Sequence, residues 1–106
     1  MTYVSEAGPE PSRDEVDAST GLLVVEFGAE WCPHCKAVQP ALKELLTAHP
    51  EVRHIKVEDG KGRPLGRSFA VKLWPTLVFL RDGKELTRVT RPTNGELREA
   101  FEQLAG

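Results

Sequence analysis

Hydrophobic and polar positions along the 106 residues change their period several times. Leu22-Leu23-Val24-Val25-Glu26-Phe27 is an apolar, β-branched run of strand length interrupted by a single acid, the pattern of a strand covered on both faces. It predicts a central strand with a parallel neighbour. From Cys32 onward the period lengthens: Cys35, Val38, Leu42 and Leu45 follow at steps of three and four, with Ala41 and Leu46 beside them, which predicts an amphipathic helix. Pro33 suits its first turn, where no amide donor is needed, whereas Pro40 falls inside and is expected to kink it before it ends near His49-Pro50. Val52 to Glu58 predicts a second strand, Gly60 to Gly66 a loop and Leu65 to Val71 a short helix. Thr76 to Leu80 and Glu85 to Val89 flank Asp82-Gly83, the dipeptide of a two-residue hairpin, so they should pair antiparallel. Ser12-Arg13-Asp14-Glu15 and Thr93 with Glu96 have the form of capping boxes. The first opens a short helix that stops around Thr20-Gly21, preceded by a weak strand pattern at Thr2 to Val4. The second opens a final helix with Leu97, Ala100, Phe101 and Leu104 as its inward stripe. This order predicts an α/β fold, a central mixed sheet flanked by helices on both faces.

Length and composition fit that outline. No repeat, low-complexity tract or linker divides the chain, so residues 1–106 read as one domain, with 1–11 as a loosely ordered N-terminal segment. Hydrophobic residues at 40% and charged residues at 28% are ordinary for a globular protein. The formal net charge of −2, with Lys and Arg scattered among Asp and Glu, offers no basic field, so neither nucleic acid nor an anionic membrane is an expected partner. No apolar run is long enough to cross a bilayer, and the acidic, Pro- and Gly-containing start lacks the form of a signal peptide. The expected compartment is the cytoplasm and the expected state a monomer.

Both cysteines of the chain lie in Cys32-Pro33-His34-Cys35, and in a reducing compartment such a pair is metal-binding or redox-catalytic rather than structural. A strand-to-helix junction places Cys32 where free backbone amides and the helix dipole favour an anion. The thiolate is the nucleophile of disulfide exchange, so Cys32 is expected to attack, partly exposed. Cys35, on the apolar stripe of the helix, is expected beneath it as the resolving thiol. Pro33 and His34 lie between the two, and an imidazole near the Cys32 sulfur would stabilise its thiolate and make the disulfide more oxidising, unless His34 is a surface residue without effect.

With these residues in view the sequence resembles the thioredoxin family over most of its length. Val25-Glu26-Phe27-Gly28-Ala29-Glu30-Trp31-Cys32 is similar to the family's strand entering the active-site segment, with Lys36 and Pro40 at familiar places. Trp74-Pro75-Thr76 before an apolar strand resembles its cis-proline segment, and Arg81-Asp82-Gly83-Lys84 the hairpin after it. The resemblance implies a thioredoxin fold and dithiol exchange with protein disulfides, most simply as a reductase, without bound cofactor or metal. It also implies a reductase or other dithiol donor as partner. Pro75 is then cis although X–Pro bonds are trans by default. The backbone of Trp74 pairs with an extended substrate strand, and Trp31 and Trp74 line an apolar docking patch unless Trp74 is ordinary core. Glu26 stands where thioredoxins carry an aspartate that shuttles the proton of the resolving cysteine, and Lys56 matches a lysine that partners this acid. On a less buried strand Glu26 would face solvent instead. Two departures stand out. Pro-His between the cysteines replaces Gly-Pro and is the pair of the periplasmic oxidase DsbA, and Val89-Thr90-Arg91 falls where thioredoxins usually have a glycine.

Three readings compete with the reductase: an oxidase or isomerase of more oxidising poise, a non-catalytic thioredoxin-fold binding or chaperone module, and a zinc site. Zinc needs four ligands, and one CxxC with His34, His49 and His54 at unsuitable spacing does not supply them.

Overall fold

The structure, a computed structural model, describes residues 2–106. Its elements are α1 (Arg13–Asp17), β1 (Leu22–Gly28), α2 (Pro33–Ala48), β2 (Val52–Glu58), α3 (Pro64–Ser68), β3 (Thr76–Arg81), β4 (Lys84–Thr90) and α4 (Asn94–Ala105). The strands form one sheet in the order β2-β1-β3-β4. β1 is parallel to β2 and antiparallel to β3, and β3 is antiparallel to β4. Both capping boxes form: Ser12 Oγ accepts the Glu15 amide at 3.1 Å while the Glu15 carboxylate accepts the Ser12 amide at 3.0 Å, and Thr93 with Glu96 repeats the arrangement.

Alternation along β1 divides the interior in two. Leu23, Val25 and Phe27 join Val16, Leu65 and Phe69 on the side of α1 and α3. Val24 joins Leu42, Leu46, Phe101 and Leu104 on the side of α2 and α4. The same alternation turns Glu26 toward α2, into the interior rather than to solvent.

Two expectations are corrected. Thr2 to Val4 is not a strand, although Thr2 Oγ1 donates to the Val52 carbonyl at the start of β2. α3 ends at Ser68 rather than Val71, because Ala70 takes a left-handed φ of 56° that a helix cannot continue. The second helix runs as expected from Pro33 in its first turn, with Cys32 as its N-cap residue, through Pro40 to Ala48.

Candidate active site

The dithiol lies where β1 hands over to α2. Cys32 caps α2 with extended backbone, and its sulfur accepts the Cys35 amide at 3.3 Å, so one of the orphan donors of the helix end is aimed at the sulfur. Both cysteines are free thiols. They pack with Ala29 against Trp74, whose carbonyl lies 3.9 Å from the Cys32 sulfur.

This packing corrects the expected division into an exposed and a buried thiol. Cys32 is 4% exposed and Cys35 5%. The N-cap geometry folds the Cys32 side chain back over the first turn, and Trp74 covers it. What separates the two sulfurs is their surroundings. Burial, a hydrogen bond with Cys32 and the negative charge of Glu26 push the Cys35 thiol up to about 12, against a partial opposing effect from a backbone bond at Ala29. Cys35 therefore keeps its proton at neutral pH until a base removes it. Gly28 at the end of β1 lets the helix approach this closely, since a Cβ there would meet the Cys35 sulfur at 2.8 Å.

Glu26 is a carboxylate that lines the same cleft as Cys35. It is 1% exposed, and its two oxygens are held separately. One accepts from His54 Nε2 at 2.8 Å; the other accepts from Gln39 Nε2 at 2.7 Å and faces Lys56 Nζ at 3.8 Å. Lys56 stands directly opposite Glu26 in the β1–β2 register. Glu26, Cys35, Gln39 and Lys56 line one open cleft of about 650 Å³, walled on another side by Ser5, Glu6 and Ala7.

The sequence picks out neither Gln39 nor, except as a candidate zinc ligand, His54. Gln39 carried a signal, being one helical turn beyond Cys35, and its amide also donates to the Cys35 carbonyl at 2.8 Å. His54 shares a strand face with Lys56 two residues on, but nothing in the sequence marks it as the partner of a buried acid rather than a surface histidine. Tyr3 also belongs here: its hydroxyl donates to Gln39 Oε1 at 2.6 Å, its ring stacks on His54 at 5.6 Å, and burial with the Glu26 charge raises its pKa.

On the other side of the dithiol, the Trp74-Pro75 bond is cis. Trp31, 70% exposed, meets the partly buried Trp74 edge to face at 5.7 Å, so Trp74 is not simply core. Trp74 Nε1 donates to Asp59 Oδ2 at 2.9 Å. Arg91 takes a left-handed φ of 47°, a conformation glycine adopts more readily than other residues, and its Nε donates to the Trp74 carbonyl at 2.9 Å. Pro33 occupies the first turn of α2. His34 beside it is exposed, and among the described residues it has no hydrogen bond or ion pair. No group of three or more His, Cys, Asp or Glu among the described residues is arranged to hold a metal ion.

A dithiol capping a helix at the end of a central strand, beside a cis-proline and above a buried acid, defines a redox-active dithiol protein of the α/β class. The chain belongs to the thioredoxin family, whose profile matches residues 6–103. It is 35% identical over 81 residues to a thioredoxin H-type of Ricinus communis, covering 76% of this chain and 69% of that protein. It is 36% identical over 86 residues to thioredoxin Asp f 28 of Aspergillus fumigatus, covering 81% and 78%. Among solved structures, thioredoxin 2 of Pseudomonas aeruginosa PAO1 in its reduced form superposes with a TM-score of 0.82 at 58% identity, covering 100% of this chain and 96% of that one. The chain is accordingly a protein-disulfide oxidoreductase of the thioredoxin type.

Proposed function

We propose that the chain works as a disulfide reductase in a reducing, cytoplasmic compartment, with Cys32 attacking, Cys35 resolving and Glu26 accepting the proton of Cys35. The observation that carries this reading is the 3.3 Å hydrogen bond from the Cys35 amide to the Cys32 sulfur at the N-cap of α2, which aims a helix-end donor at the attacking sulfur while burial keeps Cys35 as the neutral thiol. The Cys32 thiolate attacks one sulfur of a protein disulfide; that S–S bond breaks, and the departing sulfur leaves with the bonding pair and takes up a proton. The Cys35 thiol gives its proton to Glu26 through the shared cleft. Its sulfur then attacks Cys32, forming the Cys32–Cys35 bond and expelling the second substrate sulfur as thiolate. Two electrons pass from the dithiol to the substrate, and an external dithiol donor must restore them.

The surface beside the sulfurs suits an extended substrate. Trp31 and Trp74 offer an apolar shelf, and the backbone next to cis-Pro75 is placed for strand pairing once the Arg91 guanidinium yields the Trp74 carbonyl. Insulin reduction by dithiothreitol tests the assignment. The chain should accelerate it, Cys32→Ser should abolish the acceleration, and Cys35→Ser should accumulate a stable mixed disulfide on Cys32. Equal trapping by both single variants would reject the ordering, and no acceleration by the unaltered chain would favour the binding module.

A further inference from the structure

Glu26, His54, Gln39, Tyr3 and Val4 form one hydrogen-bonded network, buried at Glu26 and His54 and half-buried beyond them, that reaches from the acid beneath the dithiol to the N-terminal segment. Its last link is the most informative. The Val4 amide donates to His54 Nδ1 at 2.9 Å. A backbone N–H can only donate, so Nδ1 accepts; the imidazole proton is thereby assigned to Nε2, which donates to Glu26 at 2.8 Å. A second proton on Nδ1 would face the Val4 hydrogen directly. His54 can become a cation only if the N-terminal segment lets go.

We propose that the N-terminal segment is a positioning element of the proton-transfer machinery: by occupying His54 Nδ1, Val4 keeps the imidazole neutral and so keeps Glu26 free to take the proton of Cys35. This rests on the reading of Cys35 as the resolving thiol. With the segment released, an imidazole with solvent access charges as the pH falls through the range of about 5 to 8. A His54 cation at 2.8 Å would hold Glu26 as a carboxylate in a buried ion pair and weaken it as a proton acceptor. The other ionisable groups around the pair are Lys56 on β2, Cys35 and Lys43 on α2, and Tyr3 and Glu6 on the segment itself. Lys56, 3.8 Å from the second oxygen and with its side chain 22% exposed, is already a cation neighbour, so the segment governs the charge that can still change.

Val4→Pro removes the amide hydrogen without shortening the chain. The probe is a symmetrical aromatic disulfide that releases one coloured thiolate when Cys32 attacks and a second when Cys35 resolves. The expected second-phase rate of Val4→Pro is close to that of the unaltered chain at pH 8 and on the order of tenfold slower at pH 6, the pH interval in which histidine charges. In a His54→Gln background, which keeps an amide donor but cannot titrate, Val4→Pro should have no pH-dependent effect. Equal rates at pH 6, a slowing that is the same at both pH values, or one that persists in the His54→Gln background would each overturn the proposal while leaving the dithiol chemistry intact. A missing second release in the unaltered chain would instead overturn the resolving role itself. Should Val4→Pro fail to fold, imidazole nitrogen shifts of the unaltered chain decide. The proposal requires His54 with hydrogen on Nε2 alone at pH 6, and a doubly protonated ring there would overturn it.

Discussion

The two cysteines differ by environment more than by exposure. Cys32 receives a helix-terminal amide, whereas Cys35 is buried between Gly28, Cys32 and the Glu26 charge, and its thiol is pushed up to about 12. That shift has a consequence for stability. In the unfolded chain a cysteine ionises near its ordinary value of about 8.5. Below that value both states hold the proton and the folded state keeps its full advantage. As the pH rises from there toward about 12, the unfolded chain releases the Cys35 proton and the folded chain does not, so stability falls. Urea denaturation of the reduced protein between pH 8 and 11 should therefore show a steeper alkaline loss than the same series on Cys35→Ala. Parallel curves would show that the thiol is not held neutral. Among the residues read from sequence, Cys35, Glu26 and Lys56 line one cleft with Cys32 packed on Cys35, because period and strand register fix their faces. Gln39, His54 and Tyr3 escaped because their partners lie 13 to 50 residues away, and no local pattern encodes those contacts.

At the scale of elements, the chain's turn and cap chemistry matches what the sequence announces. The β3–β4 hairpin turns on Asp82 at φ 50° and Gly83 at φ 78°, the pair of positive angles a two-residue turn of this kind requires. The same turn is tied to the start of β1: the Asp82 amide donates to the Gly21 carbonyl at 3.0 Å, and its carboxylate accepts the Gly21 amide at 2.8 Å. A Cβ at Gly83 would also strike the Asp17 carbonyl, which is backbone and cannot rotate away. Gly83→Ala should therefore cost more than the usual penalty for a positive φ, on the order of 2–3 kcal/mol in chemical denaturation. Gly21→Ala, where the angle is similar but nothing crowds the position, should cost about 1 kcal/mol. Equal losses would mean that α1 does not pack on the hairpin as described.

For the whole molecule, the open quantity is the redox poise. A helix-end amide is aimed at the Cys32 sulfur, and Pro33-His34 places an imidazole in the first turn of the same helix. His34 can act on the sulfurs only through space rather than through a bond, since it is exposed and makes none among the described residues. The expected equilibrium potential of the Cys32–Cys35 pair lies above about −270 mV, the value of thioredoxin, and below about −120 mV, that of DsbA. His34→Ala should lower it. Equilibration against glutathione buffers measures both, and a value at or below that of thioredoxin would reject a more oxidising poise.

Local pattern alone determined which segments become strands and helices, the two capping boxes, the hairpin turn and the position of the dithiol at a helix start. These follow from periods of two and three to four and from turn residues acting within a few positions of one another. The resemblance carried by Trp31, Cys32, Cys35 and Trp74-Pro75 added the cis bond, which backbone preference alone would have left trans. Only the tertiary structure decided that Cys32 is covered by Trp74, that Arg91 holds the Trp74 carbonyl, and that Glu26 takes a hydrogen bond from His54 under a strap of N-terminal chain. Those are pairings of polar groups brought together by sheet packing. A buried donor or acceptor must find a partner somewhere, and the sequence states the need without stating the address.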